Sequence, residues 1–168
     1  MLKLLIALMI VIIFISAGII HSSRYKKRCR ELSLIREAIE EIIVMIKFRS
    51  TPVSELISSF LQKDRYILSD FFLGLKNAYE NRKGYDKGIW SEALENRFYL
   101  KNEDKEAILT LGDIIGETDT DGQISMLTMV SETIGKNLEC AKAEKAQKEK
   151  LILNMWLFIG IGLGVMII

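Results

Sequence analysis

Two runs without a single charge stand near the ends of this chain, at residues 4–20 and 151–168. Every Asp and Glu lies between them, as do 22 of the 23 Lys and Arg, the exception being Lys3. One globular domain would not segregate its apolar residues in this way. At 1.5 Å per residue the first run makes a helix of about 26 Å, close to the shortest that crosses a bilayer core of roughly 30 Å. The second run is 18 residues long and reads as another span. The intervening stretch of about 130 residues is large enough for one domain with its own core.

The flanks of the two runs set their orientation. "HSSRYKKRCR", residues 21–30, holds five basic residues, Arg24, Lys26, Lys27, Arg28 and Arg30, and no acid. Ahead of the second run stand Lys142, Lys145, Lys148 and Lys150 against Glu144 and Glu149. Positive charge beside a span holds that flank in the cytoplasm. The expected organisation is therefore an N-terminal transmembrane helix over 1–20, a cytoplasmic helical domain over 21–150 and a C-terminal transmembrane helix over 151–168. A cleaved signal would use Lys3 as its basic start and Ser16-Ala17-Gly18 as its cleavage region, but the basic run that follows resists export. In the second run Trp156 suits an interfacial belt, with 12 residues after it. "GIGLG" places Gly160 and Gly164 four apart, a spacing that lets another helix approach closely in a membrane.

The middle reads as all helix. Leu32, Ile35, Ile39, Ile42 and Ile46 recur at gaps of three and four and share one helical face. Thr51 and Pro52 suit the cap and first position of a second helix, expected to reach about Lys63. Further helices are expected over 68–81 and 89–96, on either side of the "NRKGYDKG" turn. Asn102 is expected to cap the next, which carries Ala107, Ile108, Leu111 and Ile115 and stops at Gly116. Thr120 and Gln123 have the spacing of a capping box. The helix they open has Ile124, Leu127, Val130, Ile134, Leu138 and Ala141 on its apolar face and meets no breaker before the second span. Tyr66, Phe71, Phe72, Trp90 and Phe98 are expected in the core.

Several kinds of chemistry find no support. Residues 21–150 balance 22 basic against 22 acidic side chains, whereas nucleic acid calls for a net basic face. The one histidine, His21, sits at a span boundary, and no phosphate-binding glycine loop occurs. Cys29 and Cys140 are too few for a disulfide framework or a zinc site, and are expected to be reduced and at similar depth. "ETDTDGQISMLT", residues 117–128, imitates half a calcium loop, with Glu117, Asp119 and Asp121 at ligand positions and Gly122 at the turn. Position twelve is Thr128, not the bidentate Glu that completes the cage, so a helix–turn–helix joint without metal is expected. No cofactor, small-molecule substrate or enzymatic activity is expected.

The order of these features resembles the stage III sporulation protein AB family. It shares the "MLKLL" start, the span with its basic exit, Thr51-Pro52, "LGDIIGETDTDGQ" before a long last helix, and the stretch from Trp156-Leu157 to Gly160. The most specific piece is the spacing of Leu111, Gly112, Gly116, Asp119 and Gln123. One departure stands out: where the family often has acids, nine and seven residues before the proline, this chain has Ile43 and Met45, with Glu40 and Glu41 upstream. The resemblance implies an all-α, membrane-anchored bundle related to one six-helix cytoplasmic domain of type II secretion F proteins, which are platforms beside a hexameric ATPase. It further implies a place in the mother-cell membrane around the forespore, in a channel complex joining the two cells. The implied partners are the lipid bilayer, a cytoplasmic ATPase and co-encoded membrane channel proteins. The alternatives are a membrane-anchored sensor using the acidic turn, or an adaptor with no secretion role.

Overall fold

The computed structural model describes residues 2–49, 53–67, 69–115 and 120–167, with backbone alone at 2–4, 7, 10, 49, 53, 54, 60, 67 and 167. Among the described residues seven helices follow one another: α1 (Leu2–Arg49), α2 (Val53–Leu61), α3 (Asp64–Ile67), α4 (Asp70–Asn81), α5 (Gly88–Leu94), α6 (Asn102–Ile114) and α7 (Thr120–Ile167). No strand occurs among the described residues. Both apolar runs continue as helix into the charged sequence beside them, because neither α1 nor α7 contains a proline. The chain divides into two compact units. Unit 1 comprises Met1–Cys29 and Cys140–Ile168, and unit 2 comprises Arg30–Glu139.

Unit 2 has a conventional core. Helix α4 packs against α2, α3 and α5, and α5 packs against α6. The inward face of α4 is Phe71, Phe72, Leu75 and Ala78, that of α5 is Ile89, Trp90, Ala93 and Leu94, and that of α6 includes Ala107, Ile108, Leu111 and Ile114. Aromatic rings fill the middle: Phe72 lies 4.5 Å from Tyr66 and 5.1 Å from Phe71, centroid to centroid, and Phe71 lies 6.3 Å from Trp90. The apolar stripe of α1 is buried at Leu32, Ile35, Ile39 and Ile42, and that of α7 at Leu127, Val130, Ile134 and Leu138. Each such side chain contributes about 1.5–3 kcal/mol on leaving water.

Unit 1 is a pair of antiparallel helical segments. Going up α1, Phe14 meets Trp156, Lys26 meets Glu149 and Arg28 meets Glu144, so position on α7 falls as position on α1 rises. Its large apolar side chains mostly point outward, among them Leu8, Ile13, Ile20, Leu151 and Phe158. Within α7, the stretch Thr120–Met166 is long and apolar enough to cross a membrane, the one such helix among the described residues.

Several expectations change. The helix expected over 68–81 is α4, and a short helix that was not expected, α3, precedes it; Ser69 between them leaves the helical region (φ −94°, ψ 126°) and its hydroxyl caps α4 by accepting from the Phe72 N–H at 3.2 Å. Asn102 is the first residue of α6; Lys101 takes the cap position, and its N–H donates to Asp104 at 2.9 Å. Thr120 is likewise the first residue of α7 and not its cap. Phe98 is 81% exposed and no part of the core. The left-handed turn at Asn96 (φ 58°) leads into a short segment in which Leu100 is buried and Phe98 points out. Thr51, Pro52, Gly116, Glu117 and Asp119 lie outside the described residues.

The unit boundary also redraws the charge balance. Unit 1 holds nine Lys and Arg against two Glu, a net +7; unit 2 holds fourteen against twenty acids, a net −6; together they make the chain's +1. The neutrality of residues 21–150 hides this division, because eight of the basic residues of unit 1 fall inside that stretch.

Candidate functional site

Unit 2 carries an open groove of about 740 Å³ between the C-terminal part of α1 and α2–α3. Its apolar floor comes from Val44, Met45 and Phe48, and its charged rim from Glu37, Glu40, Glu41, Lys63 and Arg65. Helical spacing explains the layout: 37, 41, 44 and 48 stack along one side of α1, where acids give way to apolar residues. Phe48 is 74% exposed and Val44 55%. Lys63 reaches Glu41 at 2.7 Å, Arg65 pairs with Glu41 as well and lies 3.7 Å from Glu37, and Arg36 takes Glu40 at 3.3 Å. The guanidinium of Arg65 also sits 5.1 Å from the Tyr66 ring centroid, and burial raises the Tyr66 hydroxyl above its ordinary pKa. Ser59, on the wall, donates to the Leu56 carbonyl at 2.9 Å. The groove thus presents exposed apolar and charged side chains together. Met45, Glu40 and Glu41 already stand out in the sequence, at the departure from the resemblance; Lys63 and Arg65 give no local signal.

Of the residues singled out at the α6–α7 joint, Leu111, Gly112 and Gln123 are described, and each makes a tertiary contact. Leu111 is buried, and Gly112 lies against Trp90 so closely that a Cβ would stand 2.6 Å from the indole Cδ1. The last carbonyls of α6 have no partner within the helix. Tyr85 supplies one from a distance: its hydroxyl lies 3.2 Å from the Gly112 carbonyl and 3.0 Å from that of Ile115. Burial pushes the Tyr85 hydroxyl above its ordinary pKa, which keeps its proton in place. Gln123 Nε2 donates to the Ile114 carbonyl at 2.9 Å, so its amide ties α7 back to α6 instead of closing a capping box at the start of α7. Asp121 and Gly122 lie in the first turn of α7, where a helix cannot wrap an ion as a twelve-residue loop does. Among the described residues no group of three or more His, Cys, Asp and Glu could hold a metal.

In unit 1, Gly160 is buried against α1, with a hypothetical Cβ 3.1 Å from Phe14 Cβ and 3.4 Å from Val11 Cα. Gly164 is buried too. Trp156 lies against Gly18 and is only half-buried. Cys29 and Cys140 both belong to unit 1 and are free thiols; burial pushes the Cys29 thiol up, against the pull of Lys145, Arg28 and Lys142.

On α1, two buried ionic residues among the described ones lie beyond the sequence-based expectations. Glu31 is 1% exposed; one of its oxygens accepts from the Ser69 hydroxyl and the other from the Asp70 N–H at 3.1 Å, clamping α1 to the start of α4. Arg28 is 3% exposed and pairs with Glu144 at 2.9 Å. The signal is present in helical phase: 28, 31, 32 and 35 lie on one face, so the apolar stripe of α1 begins with two charges.

No curated protein matches this chain. A solved structure described as stage III sporulation protein AB (SpoIIIAB) is similar in fold, with a TM-score of 0.58 at 16% identity, covering 72% of this chain and 98% of that one. The sequence pattern of the family described as stage III sporulation protein AB matches residues 3–168. With that match over nearly its whole length, the chain belongs to the stage III sporulation protein AB family.

Proposed function

We propose that this protein is a non-enzymatic membrane platform of the sporulation channel complex linking mother cell and forespore. Residues 1–20 and 151–168 anchor it as two spans in the mother-cell membrane around the forespore. The helical region between them faces the cytoplasm, and unit 2 is the counterpart of one six-helix type II secretion F domain. There it receives a cytoplasmic ATPase and passes force or position to co-encoded channel proteins. Membership of a family named for stage III of sporulation supports the setting.

The observation that carries the mechanism is the groove. Val44 and Phe48 stand in water beside Glu37, Glu40 and Glu41, on a unit of net charge −6. Exposed apolar surface rimmed by charge suits a protein partner. The acidic excess selects a basic one and speeds its approach.

The test is a photo-crosslinker at Phe48 of the full chain in sporulating cells. The ATPase should be recovered, and Glu40→Lys should reduce its recovery at unchanged protein level. Recovery that ignores the Glu40→Lys change would reject the groove as the docking face. Topology has its own test: a fusion of alkaline phosphatase near residue 80 should be inactive, and efficient activity there would overturn the cytoplasmic placement.

A further inference from the structure

The charge excess of unit 1 is concentrated next to the apolar runs. Apart from Lys3, its basic residues lie at 24–28 and 142–150, and the antiparallel pairing of α1 and α7 brings these two stretches side by side. Lys148 Nζ, for example, lies 5.9 Å from the Tyr25 ring centroid. The only two acids of the unit are engaged: Glu149 with Lys26 at 2.8 Å and Glu144 with Arg28 at 2.9 Å. The hydrogen bond from Lys26 also holds the Glu149 carboxyl below its ordinary pKa, so it stays ionised. These two pairs set the register of the helices and leave a surplus of cations. Arg24, Lys148 and Lys150 are exposed and Lys145 half-exposed, and among the described residues none of the four forms an ion pair.

We infer that these four residues form a collar that binds the phosphate of an anionic phospholipid headgroup, of the phosphatidylglycerol type. The inference rests on the reading of residues 4–20 and 151–168 as membrane spans. Lys150 directly precedes the second run, and Arg24 lies four residues, about 6 Å of helix, beyond Ile20. That is the depth of headgroup phosphates. The planar guanidinium of Arg24 can take two phosphate oxygens at once, while the lysines act as mobile point charges on long apolar stems. A lipid suits the site better than a soluble anion because its acyl chains lie against the exposed apolar side chains of the same two helices. Beyond orienting the chain, the collar would concentrate anionic lipid around it.

The full chain, with Cys29→Ser and a donor fluorophore on Cys140, tests this in phosphatidylcholine vesicles. Flotation with neutral vesicles comes first. A chain that stays behind in the soluble fraction refutes the anchor reading, and the collar with it. With flotation established, energy transfer to trace acyl-labelled phosphatidylglycerol is compared with transfer to equally labelled phosphatidylcholine. One surface cation favours an anionic lipid roughly fivefold, so a local enrichment of at least that size is expected. It should fall to the phosphatidylcholine level in the quadruple variant Arg24→Gln, Lys145→Gln, Lys148→Gln, Lys150→Gln. It should persist when Lys76, Lys83, Lys105 and Lys136 of unit 2 are changed to Gln instead. Equal transfer from both lipids, or loss of enrichment in both variants alike, would overturn the collar while leaving the membrane anchor standing. Unchanged helical circular dichroism of the collar variant in the same vesicles excludes unfolding as the cause.

Discussion

Ile13 and Ile134 sit in helices of 48 residues each, yet Ile13 in unit 1 is 60% exposed and Ile134 in unit 2 is 0% exposed. The contrast runs through both units. Unit 2 buries most of its branched side chains and turns most of its charge outward. Unit 1 turns Leu8, Ile12, Ile20 and Phe158 outward and joins its two segments through Gly18, Gly160 and a few ion pairs. Where the surroundings are apolar, burying a leucine against another helix yields little, and close backbone approach at small residues drives association instead. The same secondary structure thus follows two opposite packing rules along the same two helices.

The sharpest way to break the comparison is to place one charge in each unit. Ile134→Asp puts an unpaired carboxylate where Ile134 fills the core, at a cost of about 5 kcal/mol or more, enough to unfold a unit at the low end of ordinary stability. Urea denaturation should show no cooperative transition for unit 2. Ile13→Asp should leave that transition untouched and instead oppose membrane insertion by about 2.5–3.5 kcal/mol. A stable, soluble Ile134→Asp variant would put that face on the surface.

Next in size comes a methyl group. Gly112→Ala drives a Cβ into Trp90 and should cost about 1–3 kcal/mol in the same denaturation experiment. Gly162 in unit 1 has nothing within 4 Å of a hypothetical Cβ, so Gly162→Ala should stay within about 0.5 kcal/mol. Equal effects at the two sites would mean that Gly162 meets a partner helix. Gln123→Ala should be milder than a core charge, about 1–2 kcal/mol, since it strips one partner from the Ile114 carbonyl and little else.

The smallest effect concerns pH. Lys26 depresses the Glu149 carboxyl below its ordinary value of 4.5, so the pair contributes fully above that pH and is lost as the pH falls through the lower folded value. Contacts within unit 1 should loosen in that acid range, read by the emission of Trp156, and Lys26→Gln should remove the dependence. A pH response that survives Lys26→Gln would assign it elsewhere.

Much of the fold is legible in the amino-acid order alone. The charge-free ends, the helical phase of Leu32, Ile35, Ile39 and Ile42, and the stripe from Leu127 to Leu138 are local patterns, and helical periodicity is a local property. The joint at Leu111, Gly112 and Gln123 is recognisable by spacing, but not what those residues touch. Gly112 is required by Trp90, which is 22 positions away, and the C-terminal carbonyls of α6 are capped by Tyr85 and Gln123 from outside the helix. Phe98 looks like core by composition and is surface by position.

By itself, the sequence determined that this chain is helical, that the runs near its ends carry no charge, and which stripes face inward. Those properties follow from side-chain chemistry repeated every 3.6 residues. Tertiary structure alone decided which charges are buried and where the balance of charge divides. Arg28 reads as one member of a solvated basic run until Glu144, 116 positions away, comes within 2.9 Å. A charge is held inside only by a partner, and partners are chosen by how helices pack rather than by their neighbours in the chain.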